Sequence, residues 1–136
     1  GMFITIAAGV IDPASSQVVV SNAGHLPLIR MRGQQAVAEY PASSPPLGIL
    51  PETRFVNNSF RLGGDSLYLY TDGMLEAKVS ADQRQGMAGL QGLFGKFAGQ
   101  PPVERLQLIL AGLRQAAFTD MEDDMTLLLV EARSAA

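Results

Sequence analysis

Two short apolar runs, far apart in the chain, carry carboxylates at opposite ends, and this constrains the fold more than any other feature. Ser66-Leu67-Tyr68-Leu69-Tyr70 alternates leucine with more polar side chains, the pattern of a strand with one strongly apolar face. It stops at Thr71-Asp72-Gly73, where Thr and Asp are good helix N-caps and Gly permits a sharp turn. Near the C-terminus, Glu122-Asp123-Asp124 precedes Met125-Thr126-Leu127-Leu128-Leu129-Val130, which reads as a buried strand. A carboxylate follows one strand and precedes the other. If the two strands are antiparallel neighbours, those ends share one edge of a sheet, and Asp72 converges with Asp123. Adjacent carboxylates repel unless a cation lies between them. A hard divalent ion, Mg²⁺ or Mn²⁺, is the simplest candidate because it prefers oxygen ligands. As plain structure, Asp72 would be a helix N-cap and Asp123 part of a solvated acidic turn with Asp120 and Glu122.

The rest of the chain supplies a sheet and helices. Phe3 to Ile11 is apolar almost throughout and predicts a strand covered on both faces. Asp12 to Ser16 is a turn, and β-branched Gln17 to Ser21 is the second strand of a hairpin. A tight turn at Asn22-Ala23-Gly24-His25 leads into Leu26 to Arg32 and Gln35 to Tyr40, two more strands of the same meander joined at Arg32-Gly33-Gln34. The proline-rich loop from Pro41 to Pro51 carries Leu47, Ile49 and Leu50, so it packs onto the body. Arg54 to Phe60 is an edge strand, and Leu62-Gly63-Gly64-Asp65 turns into the strand ending at Asp72.

Beyond Gly73 the pattern becomes helical. Met74 to Lys78 makes a short turn of helix, and Ser80 to Gly86 is a polar, mobile surface loop. Met87, Leu90, Leu93, Phe94 and Phe97 fall at helical spacing and form a core stripe. Gly89, Gly92 and Gly95 each cost that helix roughly 1 kcal/mol relative to Ala. A stronger helix starts near Pro101-Pro102, presents Val103, Leu106, Leu110 and Leu113, and ends near Ala117.

Composition removes several classes of chemistry. With 136 residues the chain is one domain or part of one. It has no cysteine, which excludes disulfides, thiolate metal sites and a cysteine nucleophile. A net charge of -3 without a Lys/Arg cluster argues against nucleic acid. No apolar run is long enough for a membrane span and no signal peptide is visible, so a cytoplasmic protein is the default expectation. Gly1 before Met2 reads as a scar of tag removal. The single histidine, His25, is a candidate proton donor or phosphate contact, with a structural role after a Gly turn as the alternative. There is no Gly-x-Ser-x-Gly elbow for a Ser-His-Asp hydrolase.

Taken in order, Asn22-Ala23-Gly24-His25, Pro46-Leu47-Gly48, Gly64-Asp65, Tyr70-Thr71-Asp72-Gly73 and Asp123-Asp124-Met125-Thr126 resemble the stage II sporulation protein E-like branch of the metal-dependent, type 2C serine/threonine phosphatases. The resemblance covers about residues 2 to 131 and identifies them as the C-terminal part of a single phosphatase-like domain. It implies an α+β fold, an antiparallel β-sandwich flanked by helices, incomplete at the N-terminus. It implies two Mg²⁺ or Mn²⁺ ions bridged by a water in the complete domain. Asp72 and Asp123 match metal-ligand aspartates, with Asp124 as the second choice, and Gly73 would lend its backbone carbonyl. Thr71 and Thr126 would hydrogen-bond around the carboxylates.

The family's earlier motif, roughly Asp-x-Ser-Gly-His-Gly, has no match here. The resemblance therefore implies weak or absent metal binding and little or no phosphatase activity for this chain alone. Val79 stands where the family usually has Asn, and the usual Phe-Gly is absent near Gly86. The implied setting is a bacterial signalling regulator with an upstream sensor or receiver domain. Its phosphoserine or phosphothreonine substrate would be a small regulator such as an anti-sigma-factor antagonist. The alternative is a non-catalytic interaction module, a pseudophosphatase that binds such a regulator without hydrolysing it. An incomplete sandwich also exposes an apolar face and a strand edge, which favours self-association.

Overall fold

The computed structural model describes residues 1–80, 83–116 and 123–132. The expected helix end near Ala117, the acidic neighbours Asp120 and Glu122, and part of the polar loop after Ser80 lie outside the described residues.

Strands β1 (Ile6–Asp12) and β2 (Gln17–Ala23) form the expected antiparallel hairpin, with Gly9 opposite Val20. Its turn is fixed by Asp12, whose Oδ1 accepts from the Ala14 amide at 3.0 Å and whose Oδ2 accepts from the Ser15 hydroxyl. Next come β3 (Leu28–Arg32), β4 (Gln35–Tyr40), β5 (Asn57–Arg61) and β6 (Ser66–Tyr70). Then follow α1 (Gly73–Glu76), the two-stranded ribbon β7 (Lys78–Ser80) and β8 (Gln83–Arg84), α2 (Gly86–Lys96), α3 (Pro102–Ala116) and β9 (Leu127–Glu131). One antiparallel sheet has the order β1-β2-β5, the other β4-β3-β6-β9.

The molecule has three layers, and the four-stranded sheet is the middle one. On one face, Leu28, Leu67, Leu69 and Val130 meet Val18, Val20 and Leu62 across the sandwich. On the other, Ile29, Met31, Tyr68 and Tyr70 meet Met74, Leu90, Phe94, Ile109 and Leu113 from the helices. The α+β sandwich expected from the family resemblance is what the chain forms.

Several local expectations are corrected. The four strands from Phe3 to Tyr40 are not one meander, because the chain changes sheets between β2 and β3. The apolar N-terminal strand is not covered on both faces. It is an edge strand with Val10 73% exposed, and of its side chains only Ala7 packs against the core. Tyr68 and Tyr70 are not the solvent side of β6; both are buried, and Tyr68 stacks on Phe94 with ring centroids 4.0 Å apart. In the proline-rich loop Leu47 bridges to Ile4, but Ile49 and Leu50 are exposed. The buried face of α3 is Arg105, Ile109 and Leu113, and Val103 is exposed. The polar segment after Ser80 contains the β7–β8 ribbon rather than only loop.

Candidate metal centre

Strands β6 and β9 pair antiparallel, with Tyr70 opposite Leu127, so the end of one and the start of the other share a rim. Beyond the ladder the chains stay joined through their threonines. The Thr71 amide donates to the Thr126 carbonyl at 3.1 Å, and the Thr126 amide donates back to Thr71 Oγ1 at 2.9 Å. The Thr71 hydroxyl also donates to the Asp124 carbonyl at 3.4 Å.

Asp72 and Gly73 follow directly. Asp72 caps α1, its Oδ1 accepting from the Gly73 amide at 3.1 Å. Gly73 is buried where the two turns touch: a Cβ on it would stand 2.5 Å from the Asp124 carbonyl oxygen. No side chain fits there, which explains a glycine after Asp72. On the facing turn, Asp123 Oδ1 accepts from the Asp124 amide at 2.8 Å. Asp72, Asp123 and Asp124 are all exposed. The Oδ2 atoms of Asp72 and Asp123 have no hydrogen-bond partner among the described residues.

Oxygen donors on adjoining turns suit a hard divalent cation. Among the described residues no group of three or more His, Asp or Glu side chains that could hold a metal gathers. Asp72, Asp123 and the Gly73 carbonyl are the groups that would hold the ion, with Asp124 as substitute.

The loop before β3 reaches the same end of the sheet. In β3–β6 pairing Ile29 lies opposite Tyr68, so the chain enters β3 at the end of the sheet where β6 leaves for Asp72. Asn22, buried at 1% exposure, builds the loop. Its Nδ2 donates to the Leu26 carbonyl at 3.0 Å and the Tyr40 carbonyl at 3.1 Å, and its Oδ1 accepts from the His25 amide at 2.9 Å. Gly24 has φ +70°, and a Cβ there would stand 2.3 Å from Pro46 Cγ. Pro46 thus packs directly on the Gly24 turn, while Leu47 pairs with Ile4.

Two ionic clusters escaped the sequence reading, and both lie at the far ends of β6 and β9. Buried Asp65 accepts from Arg32 Nε at 2.8 Å and Nη2 at 3.1 Å. Arg30 Nε lies 3.2 Å from Asp65 Oδ2, close enough for ion pairing but off the hydrogen-bonding direction. The hydrogen bonds that Arg32 donates to Asp65, and the carboxylate's charge, push the Arg32 pKa up. Buried Arg105 donates to Glu131, to Ser66 Oγ at 3.1 Å and to the Gln100 carbonyl. Burial alone would lower its pKa, but hydrogen bonds to Tyr68 and Glu131 outweigh that and raise it. The arginines at β3 positions 30 and 32, on one face of the strand, were the only sequence signal for either cluster.

Comparison with known proteins bears on the fold. The family model of Stage II sporulation protein E (SpoIIE) matches residues 1–133. The SiaA-PP2C domain of Pseudomonas aeruginosa superposes with a TM-score of 0.81 at 21% identity, covering 93% of this chain and 51% of that one. The PP2C phosphatase domain with a regulatory-domain fragment of SpoIIE from Bacillus subtilis gives 0.75 at 24% identity, covering 93% and 37%. The RsbU and RsbW domains of Rv1364c from Mycobacterium tuberculosis give 0.73 at 25% identity, covering 97% and 37%. This chain thus spans about half or less of the length of these structures. No curated protein matches it. With the family matched over nearly its whole length, the chain belongs to the Stage II sporulation protein E (SpoIIE) family, with the fold of PP2C phosphatase domains.

Proposed function

We propose that this chain is the C-terminal part of a metal-dependent protein serine/threonine phosphatase domain, and that Asp72, Gly73 and Asp123 are its share of the metal centre. The observation that carries the reading is the contact of Gly73 with the Asp124 carbonyl, which sets the two aspartate turns side by side. Mg²⁺ or Mn²⁺, when bound, would neutralise phosphoryl charge and lower the pKa of a bound water. The chain's own part is to hold donors rigidly. Thr71 and Thr126 lock the turns, and Asp72 and Asp123 each keep one carboxylate oxygen on a backbone amide. No protein nucleophile is needed, which suits a chain without cysteine.

Two carboxylates are a small share of the roughly six ligands Mg²⁺ takes. This chain alone therefore binds metal weakly and turns over little or no substrate. The substrate is a phosphoserine or phosphothreonine of a small regulator, such as an anti-sigma-factor antagonist, in a bacterial cytoplasmic signalling protein. Phosphatase relatives that carry regulatory or RsbW domains support such partners and an upstream sensor or receiver domain. No helix among the described residues is long and apolar enough to cross a membrane.

A second reading is a non-catalytic module that binds the regulator; among the described residues no group of three or more His, Asp or Glu side chains that could hold a metal gathers. Hydrolysis of a phosphoserine peptide with Mn²⁺ separates them. The full-length protein turns over and this chain does not; turnover by this chain, or none by either, contradicts the proposal.

A further inference from the structure

We infer that Arg84 is a substrate-holding residue of the same site, its guanidinium gripping the phosphoryl oxygens of the phosphoserine or phosphothreonine. The inference rests on the phosphatase reading above.

The backbone puts Arg84 there. Asp72 has helical φ −57° and ψ −32°, and the Glu76 amide donates to the Asp72 carbonyl at 3.0 Å. The two carboxylates are therefore one turn apart on the same face of α1. Arg84 reaches that face from the β7–β8 ribbon, its Nη1 lying 3.6 Å from Glu76 Oε1. The ribbon is held by main chain. Lys78 pairs with Arg84 across it, and the Gln85 amide donates at 2.7 Å to the carbonyl of Ala77, the residue that ends α1. Gly86, at φ +64°, then turns the chain into α2.

The ion pair itself is loose. Arg84 is 60% exposed and Glu76 53%, and exposed pairs of this kind hold little. A guanidinium carries five N–H donors in a rigid fork that matches a phosphate edge, more than one carboxylate can engage. Charge gives the fork its task. Asp72, Asp123 and Asp124 make the rim acidic. A phosphoserine adds about −1.5 to −2 at pH 7. Arg84 brings a permanent positive charge to the face of α1 that carries Asp72, and an arriving phosphoryl group takes the place of Glu76 on it.

Two variants of the full-length protein, studied with Mn²⁺, test this. Arg84→Gln raises KM about tenfold on both a phosphoserine peptide and p-nitrophenyl phosphate, which share only the phosphoryl group, and changes kcat by less than about threefold. Calorimetry shows inorganic phosphate binding about tenfold more weakly as well. Glu76→Gln removes the competing carboxylate but none of the main-chain bonds of the ribbon, so KM is unchanged or lower. Unchanged KM and phosphate affinity in Arg84→Gln overturn the inference, and so does a rise on the peptide alone. An equal rise in Glu76→Gln also overturns it, because the ion pair would then be a structural pin. A parent protein that neither hydrolyses the phosphopeptide nor binds phosphate overturns the phosphatase reading together with this one.

Discussion

The Asp124 carbonyl oxygen sits 2.5 Å from the point where a Cβ on Gly73 would stand. That contact joins two turns from distant parts of the chain, and the candidate metal centre depends on it.

Gly73→Ala must push the Asp124 turn away, since the obstacle is backbone rather than a flexible side chain. The expected cost is about 1–3 kcal/mol of stability, the range of ordinary overpacking. Mn²⁺ affinity falls as well, measured by calorimetry beside urea unfolding.

Arg105→Met leaves Glu131 without its buried partner and is expected to cost about 2–4 kcal/mol. Adding Glu131→Gln recovers part of that, as urea unfolding of the single and double variants will show. Mn²⁺ affinity stays unchanged, because this network lies at the opposite ends of β6 and β9.

Burial pushes the hydroxyls of Tyr68 and Tyr70 above the ordinary 10.0. The folded chain keeps protons there that the unfolded chain gives up. Their contribution to stability is complete below about pH 10 and is lost as pH rises through the raised values. Urea midpoints should fall above that pH, and tyrosinate absorbance should appear together with unfolding.

Strands β1 and β9 are edges flanking an apolar cleft of about 180 Å³ lined by Ala7, Ile11, Leu69, Leu128 and Val130. Each carries a carboxylate only at its last residue, Asp12 or Glu131, and apolar edge strands tend to pair. Sedimentation should show concentration-dependent association of this chain, and Val10→Lys should weaken it.

The reading of Asp72 and Asp123 from sequence rested on direction. One carboxylate ends an apolar strand and the other begins one, and only antiparallel pairing brings them to a common rim. The helical stripe of α2 was legible because Leu90 and Phe94 repeat at one turn's spacing. What escaped was long-range. Tyr68 and Tyr70 looked polar because a hydroxyl hides how much ring is buried against Phe94. Arg105 broke the apolar stripe of α3 because its partner, Glu131, lies on β9. The change of sheet after β2 is set by Asn22 side-chain bonds and by Pro46 against Gly24, neither of which leaves a periodic trace.

The most direct test is Mn²⁺ binding, followed by electron paramagnetic resonance, to this chain and to Asp72→Asn, Asp123→Asn and the double variant. Asn keeps the capping role at position 72, so the folds should survive. Two ligands of one ion predict weak binding by the parent, loss of at least about tenfold in each single variant, and little further loss in the double. Unchanged binding in either single variant, or losses that simply add, would contradict a shared site.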